Sequence, residues 1–426
     1  MFVARSSGRI RFARTAFVLA GILPCAGLIA WAVHLRSAGH REAVRRAWEQ
    51  AVGLPIGTDG IEHVRPGTIR ARNCTLSEAD GGTLIAAKAV EVETSAAEVR
   101  VRLDTLRCDA AGARLLAGLA AEWLERGARF RRDCVVEVAD FAWRSGAVEP
   151  PPAALRIECV AQGNARAVRV VLRSSDALDE VRVVRTAGAD LPGGVAWQVE
   201  ADCARPLPFE ILAAVAADVP LAGLPLGTAA TATGSLAASR GAGAWRGQAR
   251  GRLANVDLAA CTAPLPGRAA GAAELLVRQV AWEDGRLLDC AVACLARDGR
   301  VEQRLLDALV SIVGCRPGPA FGGDGAGAER NFTALACDLV IDGRGVEICS
   351  AEHAAGAVVT SERGAVLHEP LGAVPPERIA WLLAAPAAVY VPSAGAGAWL
   401  LSILPRPGAG RERTSQFGPA AGNRDF

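Results

Sequence analysis

Residues 195–203 read Val-Ala-Trp-Gln-Val-Glu-Ala-Asp-Cys, and their alternation decides the fold. Val195, Trp197, Val199, Ala201 and Cys203 take every second position, with Gln198, Glu200 and Asp202 between them. A period of two sends successive side chains to opposite faces of an extended strand, so one face is apolar and the other solvated. The pattern recurs along the chain. Val99, Val101 and Leu103 alternate with Arg100, Arg102 and Asp104. Leu155, Ile157 and Cys159 alternate with Arg156 and Glu158, and Val168, Val170 and Leu172 follow. Trp245, Gly247, Ala249, Gly251 and Leu253 alternate with Arg246, Gln248, Arg250 and Arg252. Strands of this kind build a sheet with one packed and one wet face.

Turn chemistry agrees with strands. Pro66-Gly67 reads as a tight turn. Asp284-Gly285 and Asp342-Gly343 sit between alternating segments, as hairpin turns do. Gly314–Arg330 is rich in Gly and Pro and reads as a flexible loop. Helical periodicity is confined to residues 40–52, 111–125, 209–217, 301–313 and 376–384. The helix at 111–125, with Leu115, Leu116, Leu119 and Trp123 along one side, is expected to cap the sheet and cover its edge. Few helices and 5% aromatic residues leave little to cover so many apolar strand faces.

The one long apolar run is Thr15 to Val33, without a charge between Arg14 and His34. Nineteen residues at about 1.5 Å each match the hydrocarbon thickness of a bilayer. Arg5, Arg9, Arg11 and Arg14 precede it and Trp31 lies near its exit. The run exceeds the apolar stretch of a cleaved signal, about 7–15 residues, which favours an uncleaved anchor over a signal peptide cut near Gly39. The division expected is a basic cytoplasmic segment 1–14, a transmembrane helix 15–34, a β-rich ectodomain 35–404 with a possible sub-boundary near 314–330, and a disordered tail 405–426.

Charge and motifs exclude several classes. The 47 basic and 45 acidic residues are interspersed, giving a net +2 and no nucleic-acid stripe. Only Lys88 is a lysine, a composition expected of a GC-rich bacterial genome. The Arg246, Arg250 and Arg252 row lacks the aromatic partners of a strand-binding groove and reads as a solvated face. No G-x-S-x-G, H-E-x-x-H or phosphate loop occurs, and Gly322–Gly327 is followed by no phosphate-binding helix. The five histidines are scattered. Twelve cysteines, eleven beyond the anchor, have no paired spacing and read as buried apolar residues rather than a dense disulfide framework. No cofactor, metal site or catalytic group is expected, and the chain does not read as an enzyme.

Two blocks carry a resemblance. Residues 53–110 run "GLPIGTDGIEHVRPGTIRARNCTLSEADGGTLIAAKAVEVETSAAEVRVRLDTLRCDA", and residues 331–364 run "NFTALACDLVIDGRGVEICSAEHAAGAVVTSERG". Behind an N-terminal anchor and a short helix, they resemble the AsmA-like proteins, membrane-anchored periplasmic β-groove proteins of Gram-negative envelopes. Pro66-Gly67, Ile69, Gly81-Gly82 and Val90/Val92 sit where that family's cadence places them. The chain is far shorter than the long lipid-bridging members. The resemblance implies an inner-membrane, single-pass protein with its bulk in the periplasm. It further implies lipid handling or a part in outer-membrane assembly, with membrane lipid, phospholipid acyl chains and other envelope proteins as partners.

The fold expected is therefore mainly β (α+β): a long twisted antiparallel sheet curled into a groove, with a few capping helices and an N-terminal transmembrane helix. The residues expected to line the groove are Val99, Val101, Leu103, Val168, Val170, Val195, Trp197, Val199 and Ala249. A two-sheet sandwich with a closed core satisfies the same alternation. The alternative functions are a scaffold of a secretion or pilus machine and an enzyme with an unrecognised site.

Overall fold

The computed structural model describes residues 7–77, 82–126, 132–144, 153–174, 177–188, 194–215, 223–241, 243–322, 328–351, 356–383 and 400–405. The chain opens with an apolar helix, Ser7–Phe17 continuing through Val18–Ile22 to Leu23–Arg36. The middle turn is wound wide, as a π-helix. Pro24 accounts for it, because its ring clashes with the carbonyl four residues earlier, within that turn. Phe17, Leu19, Leu28, Ile29, Trp31 and Val33 are exposed around this helix. The stretch Arg11–Arg36 is long and apolar enough to cross a membrane, a form that an anchor and a signal sequence share.

Ser37 ends the first helix and starts the next. Its backbone is extended, and its hydroxyl accepts the His40 amide at 3.2 Å, an N-cap for Ala38–Val52. Gly53, at φ 80°, closes that helix in the left-handed region that glycine enters freely. The Glu49 carboxylate accepts the Ile56 amide at 3.1 Å and fastens the helix to the first strand.

Among the described residues twenty strands follow. They are β1 (Ile56–Gly57), β2 (Gly60–Arg65), β3 (Thr68–Ser77), β4 (Thr83–Thr94), β5 (Glu98–Cys108), β6 (Asp133–Trp143), β7 (Ala153–Gln162), β8 (Ala165–Arg173), β9 (Leu178–Ala187) and β10 (Val195–Pro208). The second half holds β11 (Thr231–Arg240), β12 (Trp245–Asp257), β13 (Ala269–Ala270), β14 (Ala272–Glu283), β15 (Arg286–Glu302), β16 (Arg316–Pro317), β17 (Glu329–Asp342), β18 (Gly345–Ser350), β19 (Ala357–Ser361) and β20 (Gly364–His368). All belong to one sheet that does not close on itself. From β2 to β12 each strand pairs with the next, and the meander continues through β14, β15, β17 and β18. The five alternating segments lie in β5, β7, β8, β10 and β12, and the mainly β fold expected from them is the one observed.

One pairing departs from the antiparallel expectation. β5 and β6 run parallel, with Val101 opposite Val136. Parallel neighbours need a crossover, and the helix Ala110–Arg126 supplies it. This helix does not cap the sheet edge. It returns the chain to the start of β6 by crossing the apolar face, where Leu115 and Leu116 pack with Leu106, Phe141 and Leu155. Trp123 and Leu124 bury against Val168. A helix with an apolar stripe gains more by covering an apolar sheet than by flanking an edge.

Local signals held elsewhere. Asp284 (φ 53°) and Gly285 (φ 71°) form a two-residue turn with both φ positive, closing Glu283 against Arg286. Asp342 pairs with Gly345 at the β17–β18 turn. The segment expected to be helical at 301–313 begins as strand through Glu302, then forms the helix Gln303–Ala308 and a π-turn Leu309–Val313. Within the expected loop 314–330, Arg316–Pro317 pairs with β20 and Glu329 opens β17, while 323–327 lie outside the described residues. Of the tail 405–426, all but Pro405 lies outside the described residues.

The apolar interior is divided. One cluster gathers Val301, Leu306, Phe332, Val359 and Leu367 at the C-terminal end. A second lies under the crossover helix, joined by Ile211 of the short helix Phe209–Val215. Two smaller ones centre on Val280 and Trp282, and on Trp123. Asp179, fully buried, accepts the amides of Ala204 (2.8 Å) and Arg205 (3.1 Å) and the Arg205 Nε at 2.5 Å, fixing β9 to the end of β10.

Candidate functional site

Directly opposed residues in neighbouring strands point to the same side, so strand register traces what each face presents. Starting at Ile69 on β3, the opposed residues are Val92, Val101, Val136, Ile157, Val170 and Val181. The row continues through Ala201, Leu236, Ala249, Val280, Cys290, Ile341 and Val346 on β18. Fourteen strands thus contribute one apolar residue each, with no polar side chain interposed. At about 4.8 Å between strands the row is roughly 60 Å long. Its members are half-buried, except Val280, Cys290 and Val346, which are buried.

The opposite face carries charge in register. Arg70 pairs with Glu91 at 2.8 Å, and Arg102 lies 3.8 Å from Glu91 and 3.4 Å from Glu137. Arg156 joins Glu137 (3.1 Å) to Glu158 (2.7 Å). Arg169 joins Glu158 (3.8 Å) to Glu180, which it grips with two nitrogens at 2.8 and 3.0 Å. Eight alternating charges therefore cross β3 to β9 without a break. The Arg169 contact holds the Glu180 carboxyl below its usual range. A hollow of about 460 Å³ on this side is lined by Glu158, Arg169, Glu180 and Arg182 together with Val160, Ala167 and Val184. Farther on, Arg250 donates to Ser235 and Arg252 pairs with Glu274, so part of the arginine row is neutralised within the sheet.

The structure divides the nine expected lining residues. Val168, 2% exposed, lies beneath Trp123 and Leu124, and Val170 and Trp197 pack into the same cluster. Leu103 joins the cluster under the crossover helix, and Ala249 packs beside Val280 and Trp282. Val99, Val101, Val195 and Val199 are half-buried and belong to none of these clusters. The apolar face is thus plugged by one helix across part of its length and uncovered by helices around Val101 and Val199.

Three of the five histidines meet where the apolar helix joins the sheet, a grouping that sequence spacing does not reveal. His40 Nε2 lies 2.8 Å from His63 Nε2, and the His34 and His40 rings are 5.2 Å apart. Burial, and then the neighbouring His40, lower the proton affinity of His63. Among the described residues no group of three or more His, Cys, Asp or Glu is arranged to hold a metal ion. Cys108, Cys203, Cys290 and Cys315 are buried, and desolvation first of all pushes the Cys108 and Cys159 thiols up to about 12. No protein-family model, curated protein or solved structure matches this chain.

Proposed function

We propose that this chain is a membrane-anchored, AsmA-like envelope protein whose ectodomain takes acyl chains along the apolar face of its open sheet. The fourteen-strand apolar row supports the reading above all else. Small and medium aliphatic side chains with no hydrogen-bonding group suit a hydrocarbon chain and give little headgroup selectivity. The parts of that face that no helix covers, around Val101 and Val199, leave apolar surface with no partner in the chain, which soluble monomers seldom expose over a wide patch. The apolar helix at the N-terminus holds the entry end of the sheet, β2 and β3, next to a lipid reservoir. In this reading it is an uncleaved anchor in the inner membrane, and the sheet stands in the periplasm. The ion-pair ladder keeps the back of the sheet wet while the front is filled. The protein acts by holding and passing lipid, without a chemical step.

The test is extraction of the full chain in mild detergent followed by lipid mass spectrometry. Co-purifying phospholipid at a fixed ratio, lost when Val101 is replaced by Asp, is the expected result. A folded wild-type protein free of lipid, recovered in complex with secretion proteins, refutes the lipid reading and favours a scaffold.

A further inference from the structure

Two pairs of cysteines face each other across neighbouring strands. Cys134 on β6 is opposite Cys159 on β7, and Cys294 on β15 is opposite Cys337 on β17. In an antiparallel pair, opposed residues have Cα atoms about 4.5 or 5.5 Å apart, depending on the hydrogen-bonding position. Both values lie inside the range of about 4.4–6.8 Å that a disulfide spans. With twelve cysteines in 426 residues, two such coincidences are not what chance supplies. The thiols of the second pair already touch. Cys337 is hydrogen-bonded to Cys294, and that contact holds the Cys294 thiol below its ordinary range and raises Cys337.

We propose that Cys134–Cys159 and Cys294–Cys337 close as cross-strand disulfides in the mature protein, stapling the sheet on either flank of the apolar row. The proposal rests on the extracytoplasmic placement given above, since such bonds persist in oxidising compartments. The oxidant is a disulfide, either of a protein oxidase or of a small thiol. One cysteine thiolate attacks it and releases one thiol. The facing cysteine then loses its proton and attacks the mixed disulfide, releasing the second thiol. Two hydrogens and two electrons leave each pair, and the oxidant carries both away.

The first pair lies two residues along the strands, on the same face, from the opposed Val136 and Ile157. The second lies on β15 and β17, the strands that supply Cys290 and Ile341. A staple at either place holds two neighbouring strands in register beneath packed helical residues, Trp123 and Leu124 over Cys159 and Leu305 and Leu306 beside Cys294 and Cys337. The closed segments separate residues 134 and 159, and residues 294 and 337, so neither bond links distant parts of the fold. None of the other eight cysteines faces another across the sheet.

The experiment lyses cells making the full chain in N-ethylmaleimide and maps peptides without reduction. Cross-linked peptides joining 134 to 159 and 294 to 337, each two hydrogens lighter than the thiol forms, are expected. Alkylated thiols at all four positions overturn the proposal, and closure of one pair alone overturns it for the other. Two further readings separate the causes of failure. The reduced, purified protein is exposed to oxidised glutathione, and protease accessibility in spheroplasts reports which side the sheet occupies. If the pairs close in glutathione but not in cells, and protease does not reach the sheet, the extracytoplasmic placement falls with the proposal. If they close in neither while protease does reach it, the disulfides alone are refuted.

Discussion

Val101→Asp places a carboxylate in the uncovered part of the apolar row. Val101 faces Val92 on β4 and Val136 on β6, and no cation opposes it there. Its side chain is half-buried and belongs to none of the buried clusters. Full burial of a valine contributes roughly 1.5–3 kcal/mol, so removing a half-buried one destabilises the fold by about 1 kcal/mol. The new carboxylate keeps its water while the face is empty. Once an acyl chain lies against it, that water is lost, at an effective cost of several kcal/mol. Taking about 3 kcal/mol for the difference, acyl binding weakens roughly a hundredfold. The assay pairs lipid mass spectrometry of detergent-purified protein with thermal unfolding. Bound lipid should disappear while the melting temperature falls by only a few degrees. Val199→Asp should behave likewise, softened by Arg185, whose partner Trp197 lies two residues away on the same strand. Val280→Asp is the contrast, because Val280 is 1% exposed and its carboxylate has no route to water. That variant should fail to fold. If Val101→Asp also unfolds the protein, and the wild type carries no lipid, the face is a closed core and the reasoning is wrong.

Other consequences are independent of lipid. Asp179→Ala leaves the Arg205 guanidinium buried with two unanswered backbone amides, a loss of about 3–5 kcal/mol in denaturant melts. Adding Arg205→Leu should recover part of it, and no recovery would mean that the ion pair is not the cause. Trp123→Ala empties the contact between the crossover helix and Val168 and should destabilise by about 3 kcal/mol. Val168→Ala on that background should cost less than it does alone. The proton affinity of His63 is lower folded than unfolded, so folding favours its neutral form. Stability is then full above the unfolded value of 6.5 and falls as acid carries the pH below it. Melts between pH 7.5 and 5 should show that loss, and His63→Gln should flatten it.

Local chemistry determined much of the fold. Period-two alternation placed β5, β7, β8, β10 and β12, because side-chain direction in a strand follows from covalent geometry alone. Asp284-Gly285 and Pro66-Gly67 fixed their turns, since few residues enter the dihedral regions that those turns need. The uncharged run from Thr15 to Val33 set a membrane-length helix by composition. What the sequence left open was pairing. Strand order and register depend on contacts between residues far apart in the chain, and a shift of one residue exchanges the two faces. Only tertiary structure therefore joined Ile69 to Val346 in one apolar row, aligned Arg70 through Glu180 into a charge ladder, and brought His34, His40 and His63 together. The same holds for the facing pairs Cys134–Cys159 and Cys294–Cys337, whose spacings of 25 and 43 residues carry no periodic signal. The crossover helix shows the division most clearly. Its apolar stripe was legible, but where the stripe lands is decided by β6 running parallel to β5, and by the larger apolar area that the helix buries on the sheet's face than at its edge.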